Sequence, residues 1–410
     1  MTNKLLIIGF VWPEPKSSAA GSRMLQLIEH FKDLNYEITF CSIANRTSKS
    51  FNLETLGIAI NQIELNNSSF DVFIKRLNPD VVLFDRFMTE EQFGWRVLDQ
   101  CPNAIRILDT EDLHGLRKGR GLAIKANEDF DLRHLFNDFT KREIASIYKC
   151  DLSLIISTFE MEILTERFKI DPSILYYIPF LVNQVDDQQK ARLPEYEDRL
   201  NFLIIGNFLH QPNLDSVRHL KTTIWPLIRK QLPDTQLHVY GAYDSAKVTQ
   251  MHSEKEGFLI KGFADDVHGV MQKIRVSLAP LRYGAGLKGK VFDAFKNGTP
   301  CMMSTIASEG ILETDEAPLL IDDDPNLFAK KAIDLYMNSK LWYKAQQLGF
   351  DTLKSKFTRE DFEQGFLEKL NAIRTGLKQH REKNFIGQML LHQSMQSTKY
   401  MSKWIEEKNK

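Results

Sequence analysis

Phe202-Leu-Ile-Ile-Gly206 is four apolar residues closed by a glycine, and its reading decides the fold. A run this short, without strict alternation, suits a strand buried on both faces of a parallel sheet, and the glycine lets the chain turn sharply where such sheets bind ligands. Leu237-His-Val-Tyr240 and Phe258-Leu-Ile260 repeat the pattern, closed by Gly241 and Gly262, and Val276–Leu281, Pro300–Met303 and Pro318–Ile321 extend it. Upstream, Lys4–Phe10, Glu37–Ile43, Asp80–Phe84, Ala104–Asp109, Leu152–Ile156 and Ile174–Pro179 form an earlier series, with helical spacing between the first two over Arg23–Leu34. Strand–helix alternation that starts twice predicts two doubly wound α/β domains. Asn183–Arg199, polar and aperiodic, is read as the linker between them.

Composition sets the class. At 410 residues the chain exceeds one ordinary core, and 43% hydrophobic residues suffice for two. Lys plus Arg total 53 against 54 Asp plus Glu, so no global field favours nucleic acid and any anion site is local. Cys41, Cys101, Cys150 and Cys301 show no metal spacing and read as buried free thiols of a reducing compartment. No run suits a membrane span or a signal peptide, so a cytoplasmic protein is expected. After Phe357 the pattern is helical; Lys378–Lys410, basic and amphipathic, either folds back on the first domain or touches the inner face of a membrane or a partner.

The chemistry concentrates in Arg282-Tyr-Gly-Ala-Gly-Leu-Lys-Gly-Lys290, which leads into a helix over Val291–Lys296. Small residues at Gly284, Ala285 and Gly286 let backbone N–H groups approach phosphate oxygens, the helix start adds positive partial charge, and Arg282, Lys288 and Lys290 add full charges. The spacing is neither a Walker A loop nor a dinucleotide fingerprint. A second constellation, Asp109, Glu111, Asp112, His114 and Arg117, occupies one loop, where an imidazole or a carboxylate can meet a sugar hydroxyl. No Asp-x-Asp follows a strand and no His pair has helical spacing, so neither a metal nor a cofactor is expected.

The segment Ala279–Pro300 with Ser308-Glu-Gly-Ile311, the loop Gly206-Asn-Phe-Leu-His-Gln-Pro-Asn213 and Asp109-Thr-Glu-Asp-Leu-His-Gly-Leu-Arg117 together resemble family-4-type glycosyltransferases of the GT-B fold. The resemblance implies two Rossmann-like domains facing a central cleft, with C-terminal helices: an acceptor-side domain over 1–185, a linker over 186–200, a donor domain over 201–360 and returning helices over 361–410. It implies a retaining transfer from a nucleoside-diphosphate sugar, of UDP or GDP type, to a glycan, lipid or protein. It sets Asp293 against the ribose, His114 and Asp112 near the reacting sugar, Gly262 and Phe263 against the base, and Gly21, Asn207 and Glu309 on the cleft. The family's sugar-contacting acid falls on Ala285 and is missing. Its usual loop cations are replaced by Asn207, His210 and Gln211, which leaves charge compensation to Arg282 and Lys288. A sugar-nucleotide 2-epimerase and a non-catalytic nucleotide-sugar-binding protein are the alternatives.

Overall fold

The computed structural model describes residues 3–410. The first sheet has seven parallel strands, β1 Asn3–Gly9, β2 Tyr36–Ser42, β3 Ala59–Gln62, β4 Val81–Asp85, β5 Ile105–Asp109, β6 Leu152–Ile155 and β7 Leu175–Tyr177, in the order β3-β2-β1-β4-β5-β6-β7. The second has five, β8 Leu200–Ile205, β9 Leu237–Tyr240, β10 Phe258–Gly262, β11 Ile274–Ala279 and β12 Cys301–Met303, in the order β10-β9-β8-β11-β12. Every pairing within both is parallel, with helices between, so both domains are doubly wound and Rossmann-like. The order reverses between β1 and β4 and between β8 and β11. At such switch points the crevice beyond the strand ends takes ligands, and here the two crevices face each other.

The apolar runs became strands because their side chains are buried on both faces; β4 is wholly buried. The edge strand β3 was not anticipated: Ala59-Ile-Asn-Gln62 is half-exposed and lacks an apolar run. Pro318–Ile321, expected as a strand, contributes only a single bridge from Ile321 to Met303 before the acidic turn that caps the helix Pro325–Met337. The polar segment before β8 carries a short helix, Asp187–Ala191, and its last residue is no linker residue at all. Arg199 is fully buried, donating from Nη1 to Thr299 Oγ1 at 2.8 Å and from Nη2 to the Asn297 carbonyl at 3.0 Å. The chain crosses between domains at a second place, where the Val182 N–H donates to the Phe357 carbonyl at 2.9 Å.

Beyond that crossing the chain returns to the first domain. Helix Glu360–Thr375 lays Phe366, Leu370 and Ile373 into the cluster that contains Leu5, Ile7 and Phe31. Arg381 then donates from Nε to Asp151 at 2.8 Å, joining Arg106 at the same carboxylate. Burial opposes that charge, but Arg106 and Arg381 outweigh it and hold Asp151 at about 2. All four cysteines are free and buried, and no helix of the described residues is long and apolar enough to cross a membrane.

Candidate active site

A cleft of about 1090 Å³ lies between the carboxyl ends of the two sheets. Its first-domain wall comes from the loop after β1, from Gly21 in the first turn of the helix Ala19–Asp33, and from Arg86, Glu111, Asp112, His114 and Arg117; its second-domain wall includes Asn207, His210, Phe263, Gly284, Ala285, Lys288, Lys290 and Asp293.

The loop after β11 turns at Gly286, whose φ of +62° and whose missing Cβ, which would sit 2.8 Å from the Asp112 Cβ, both require glycine. The sequence offered its N–H to a phosphate, but that N–H is taken, donating to Glu160 Oε1 of the first domain at 2.8 Å. The Gly284 carbonyl accepts from Arg120 Nη1 at 2.9 Å, so the first domain shapes this loop twice. Lys288, 7% exposed, donates from Nζ to the Gly286 carbonyl at 2.6 Å. Lys290 donates to Asn213 Oδ1 at 2.8 Å. Burial lowers both ammonium groups, Lys290 to about 8, and neither forms an ion pair among the described residues. A desolvated, unpaired cation beside a cleft is a strong attractor for an anion.

Arg282 is not one of these cations. Its guanidinium leaves the outer side of the loop, and Asp215 on the helix Gln211–His219 takes it, with Nε 2.9 Å from Oδ2. Glu309 is likewise turned away from the cleft: both carboxylate oxygens accept from Arg120, at 2.9 and 2.6 Å, in a buried pair that spans the domains. Gly262 stands one residue behind the wall, its carbonyl held by the Gly241 N–H at 2.8 Å. Phe263 does line the cleft, but Lys49 of the first domain places its Nζ 3.6 Å from the ring centroid, so one face of the ring is already covered. Nearby, Tyr243 donates to Glu14 Oε2 at 2.7 Å, a second strap across the cleft.

Asp293, in the second turn of helix Gly289–Lys296, faces the cleft, and its carboxylate makes no hydrogen bond among the described residues. Burial raises its pKa, against Lys296 and His268. Ala285 joins the apolar cluster that holds Leu113 and Leu116, so the position where an acid was sought is packed against the first domain.

Opposite, Asp112 is bonded to Arg117. Burial works against the charge of Asp112, but Arg117, His114 and His210 together hold the carboxyl far below its usual range. His114 is nearly buried; its Nδ1 lies 3.1 Å from the Asp112 carbonyl and 3.3 Å from a Glu143 oxygen. The carboxylates of Glu143 and Glu160 cap the start of its helix, accepting from the N–H groups of His114, Gly115 and Leu113 at 2.8–2.9 Å. This fixes the ring while its edge meets Phe87, centroids 5.5 Å apart. His210 projects into the cleft from the other wall, where desolvation and Arg117 lower its pKa to about 4.

At the neighbouring ends of β4 and β5, Arg86 and Glu111 adopt φ of +69° and +64°, a conformation that costs a non-glycine residue about 1 kcal/mol or more. Burial, with Asp109 beside it, pushes Glu111 up to about 8, and its Oε1 has no partner. Asp109 itself is consumed by Arg23, Nη2 to Oδ1 at 2.9 Å.

Of the residues singled out from sequence, the fold thus gathers Gly21, Asn207, Phe263, Gly284, Ala285, Lys288, Lys290, Asp293, Asp112 and His114 on one cleft, and leaves Arg282, Gly262, Gly286 and Glu309 behind it or bonded elsewhere. Sequence reasoning missed Arg120, Glu143 and Glu160. Each sits inside a charged helical stretch that resembles a solvated face, and only the fold reveals the distant amides they meet.

Comparison with known proteins bears on the same region. Residues 199–338 match the model of the family described as glycosyl transferases group 1. Over 145 residues the chain is 26% identical to an uncharacterized 44.6 kDa protein in the cps region of Klebsiella pneumoniae; the match spans 34% of this chain and 37% of that one. A TarM variant from S. aureus, in complex with fondaparinux, α-GlcNAc-glycerol and UDP, superposes with a TM-score of 0.68 at 10% identity, over 90% of this chain and 100% of its own. Sucrose-phosphate synthase of Thermosynechococcus elongatus does so with a TM-score of 0.68 at 14% identity, over 91% and 100%. At these identities the likeness is one of fold.

Proposed function

We propose that the protein, a chain of GT-B fold whose residues 199–338 match the glycosyl transferases group 1 model, moves a sugar from a nucleoside-diphosphate sugar to an acceptor, with retention and without a metal ion. The observation that carries the reading is the pair of ammonium groups, Lys288 buried and Lys290 partly buried, on the wall of a cleft large enough for a sugar nucleotide and part of an acceptor. Their fixed positive charge meets the diphosphate and stabilises it as it departs, the work a divalent ion does in other sites.

Asp293, with free carboxylate oxygens one helical turn beyond Lys290, accepts from the ribose hydroxyls. The open face of Phe263 and the backbone beside it suit a flat base. On the other wall His114, with Nδ1 committed to Asp112 and Glu143, presents the rest of its ring to the sugar and the acceptor hydroxyl. Asp112, held ionised by Arg117, orients that imidazole instead of serving as a free base. The acceptor enters along the first-domain wall near Arg86 and Glu111. UDP is the first nucleotide to try, because the TarM variant was solved with it.

The test is a panel of sugar nucleotides with glycan, lipid and peptide acceptors, assayed for release of nucleoside diphosphate with and without a chelator. Turnover unaffected by the chelator, with the anomeric configuration of the donor kept in the product, is expected. Turnover abolished by chelation, or an inverted product, refutes the proposed mechanism. Tight nucleotide binding without turnover of any donor establishes the non-catalytic alternative, and conversion of the donor without an acceptor, the nucleotide still attached, establishes the epimerase.

A further inference from the structure

The last two helices, Phe385–Gln396 and Thr398–Lys408, each have one face committed to the body of the first domain. On the first, Gly387 and Leu391 are buried, and Gly387 lies so close to the Tyr148 carbonyl that a Cβ would stand 2.1 Å from it. On the second, Ser402 accepts from Arg96 Nη2 at 3.3 Å and Glu406 accepts from the Ser68 N–H at 2.9 Å. Residues four apart thus face inward on both helices, and the opposite faces are left to solvent.

Those outer faces carry large apolar side chains among polar ones. Phe385, Ile386 and Met389 on one helix, and Tyr400, Met401 and Trp404 on the next, are 46–68% exposed. Six large apolar side chains on adjoining helices, outside any packed core, mark an interaction surface. Its charge identifies the occupant. Residues 378–410 carry seven Lys and Arg against three Glu; Arg381 and Lys399 are matched by Asp151 and Asp99 of the first domain, which leaves Lys383, Lys403 and Lys408 without an acidic partner among the described residues. Lys408 lies one turn beyond Trp404 on the outward face, its Nζ 5.2 Å from the ring, and Lys403 is exposed on the flank of the same helix. Both acids that could offset them are engaged elsewhere: Glu406 with Ser68 and Arg96, and Glu407 with Lys410. Tryptophan and tyrosine beside unpaired lysines suit the boundary between lipid headgroups and acyl chains, and those lysines select an anionic leaflet.

We propose that the outer faces of these helices dock the protein on an anionic bilayer surface, Trp404 and Phe385 inserting at the level of the headgroups while the inner faces stay packed on the first domain. The docking is peripheral and does not depend on the chemistry of the cleft.

The tryptophans provide a reporter. Trp12, Trp95, Trp225 and Trp342 are at most 3% exposed and Trp404 is 59% exposed, so a spectral response to lipid belongs to Trp404. The full chain is mixed with vesicles of phosphatidylcholine containing one-third phosphatidylglycerol and, separately, with phosphatidylcholine alone. Co-sedimentation with the anionic vesicles, weakened by salt and accompanied by a blue shift that Trp404→Phe abolishes, is expected. Combined Lys403→Gln and Lys408→Gln, both on solvent-facing positions, should lower the partition coefficient roughly 25-fold with an unchanged melting temperature. Failure to sediment with anionic vesicles, equal binding to neutral ones, or binding that ignores both lysines overturns the proposal. A dimer that buries Trp404 in solution does so as well, because the surface is then an interface between copies of this chain.

Discussion

Replacing Lys290 with methionine should make the empty protein more stable and its nucleotide complex weaker, two effects of opposite sign from one change. Burial takes this lysine from 10.5 to about 8, a displacement that corresponds to roughly 3 kcal/mol between the charged and neutral forms. The folded value lies below the unfolded one, so the unfolded chain binds more protons between pH 8 and 10.5 and stability rises with pH across that window. Below pH 8 the destabilisation is fully present. Methionine removes it but gives up the hydrogen bond to Asn213, worth about 1 kcal/mol, for a net gain of about 1–2 kcal/mol and a few degrees in Tm at pH 7. Against a diphosphate the lost ammonium removes a contact worth about 4 kcal/mol at an intermediate dielectric. After the desolvation the lysine has already undergone, about 2–3 kcal/mol remains, or a roughly 30- to 150-fold rise in the Kd for UDP. Calorimetry near pH 8 in buffers of different ionisation heat should show the wild type taking up a fraction of a proton on binding, because the diphosphate restores the charged form, and Lys290→Met losing that uptake. A fall in Tm together with a UDP affinity within threefold of wild type refutes the assignment.

Asp293→Ala should weaken UDP about tenfold or more, as expected for charged hydrogen bonds to a ribose, while leaving the affinity for inorganic pyrophosphate unchanged; parallel titrations separate the two. Arg282→Ala should leave UDP affinity within twofold, because its guanidinium is bonded to exposed-side Asp215 outside the cleft, and should cost no more than about 1 kcal/mol of stability in denaturant unfolding. Glu160, pushed by burial to about 8 from 4.5, binds more protons folded than unfolded, so stability declines as pH rises from 4.5 through 8. Glu160→Gln preserves an acceptor for the Leu113 and Gly286 amides and should flatten that decline; an unaltered pH profile of Tm contradicts the role assigned to this acid.

The strands were legible because burial on both faces leaves an apolar run that few other structures explain, as in Val81-Val-Leu-Phe84. Ala59–Gln62 escaped notice because an edge strand keeps polar side chains. The cleft was legible at Lys288, Lys290 and Asp293, where strand, turn and helix follow one another and local geometry decides the direction of each side chain. It was misread at Arg282 and Glu309, whose neighbours in sequence line the cleft while their own side chains find Asp215 and Arg120. Local charge density predicts that cations are present and says nothing about which carboxylate claims one first. Gly286 was recognised as a residue that had to be small, but the partner of its N–H lies 126 residues upstream and only the folded chain brings Glu160 there.

That upstream reach bears on modularity. The segment matched by the family, 199–338, contains the whole loop after β11, yet the shape of the loop is fixed from outside it, by Arg120 at the Gly284 carbonyl and at Glu309 and by Glu160 at the Gly286 amide. Excised, the segment would keep its strands and lose the template of its turn. A chimera that joins this segment to a foreign first domain therefore keeps the shape of the loop only if the graft supplies an arginine and a buried acid at the corresponding places. Two positions on the first domain are thus part of the design of this loop, and any transplant of the segment has to carry them along.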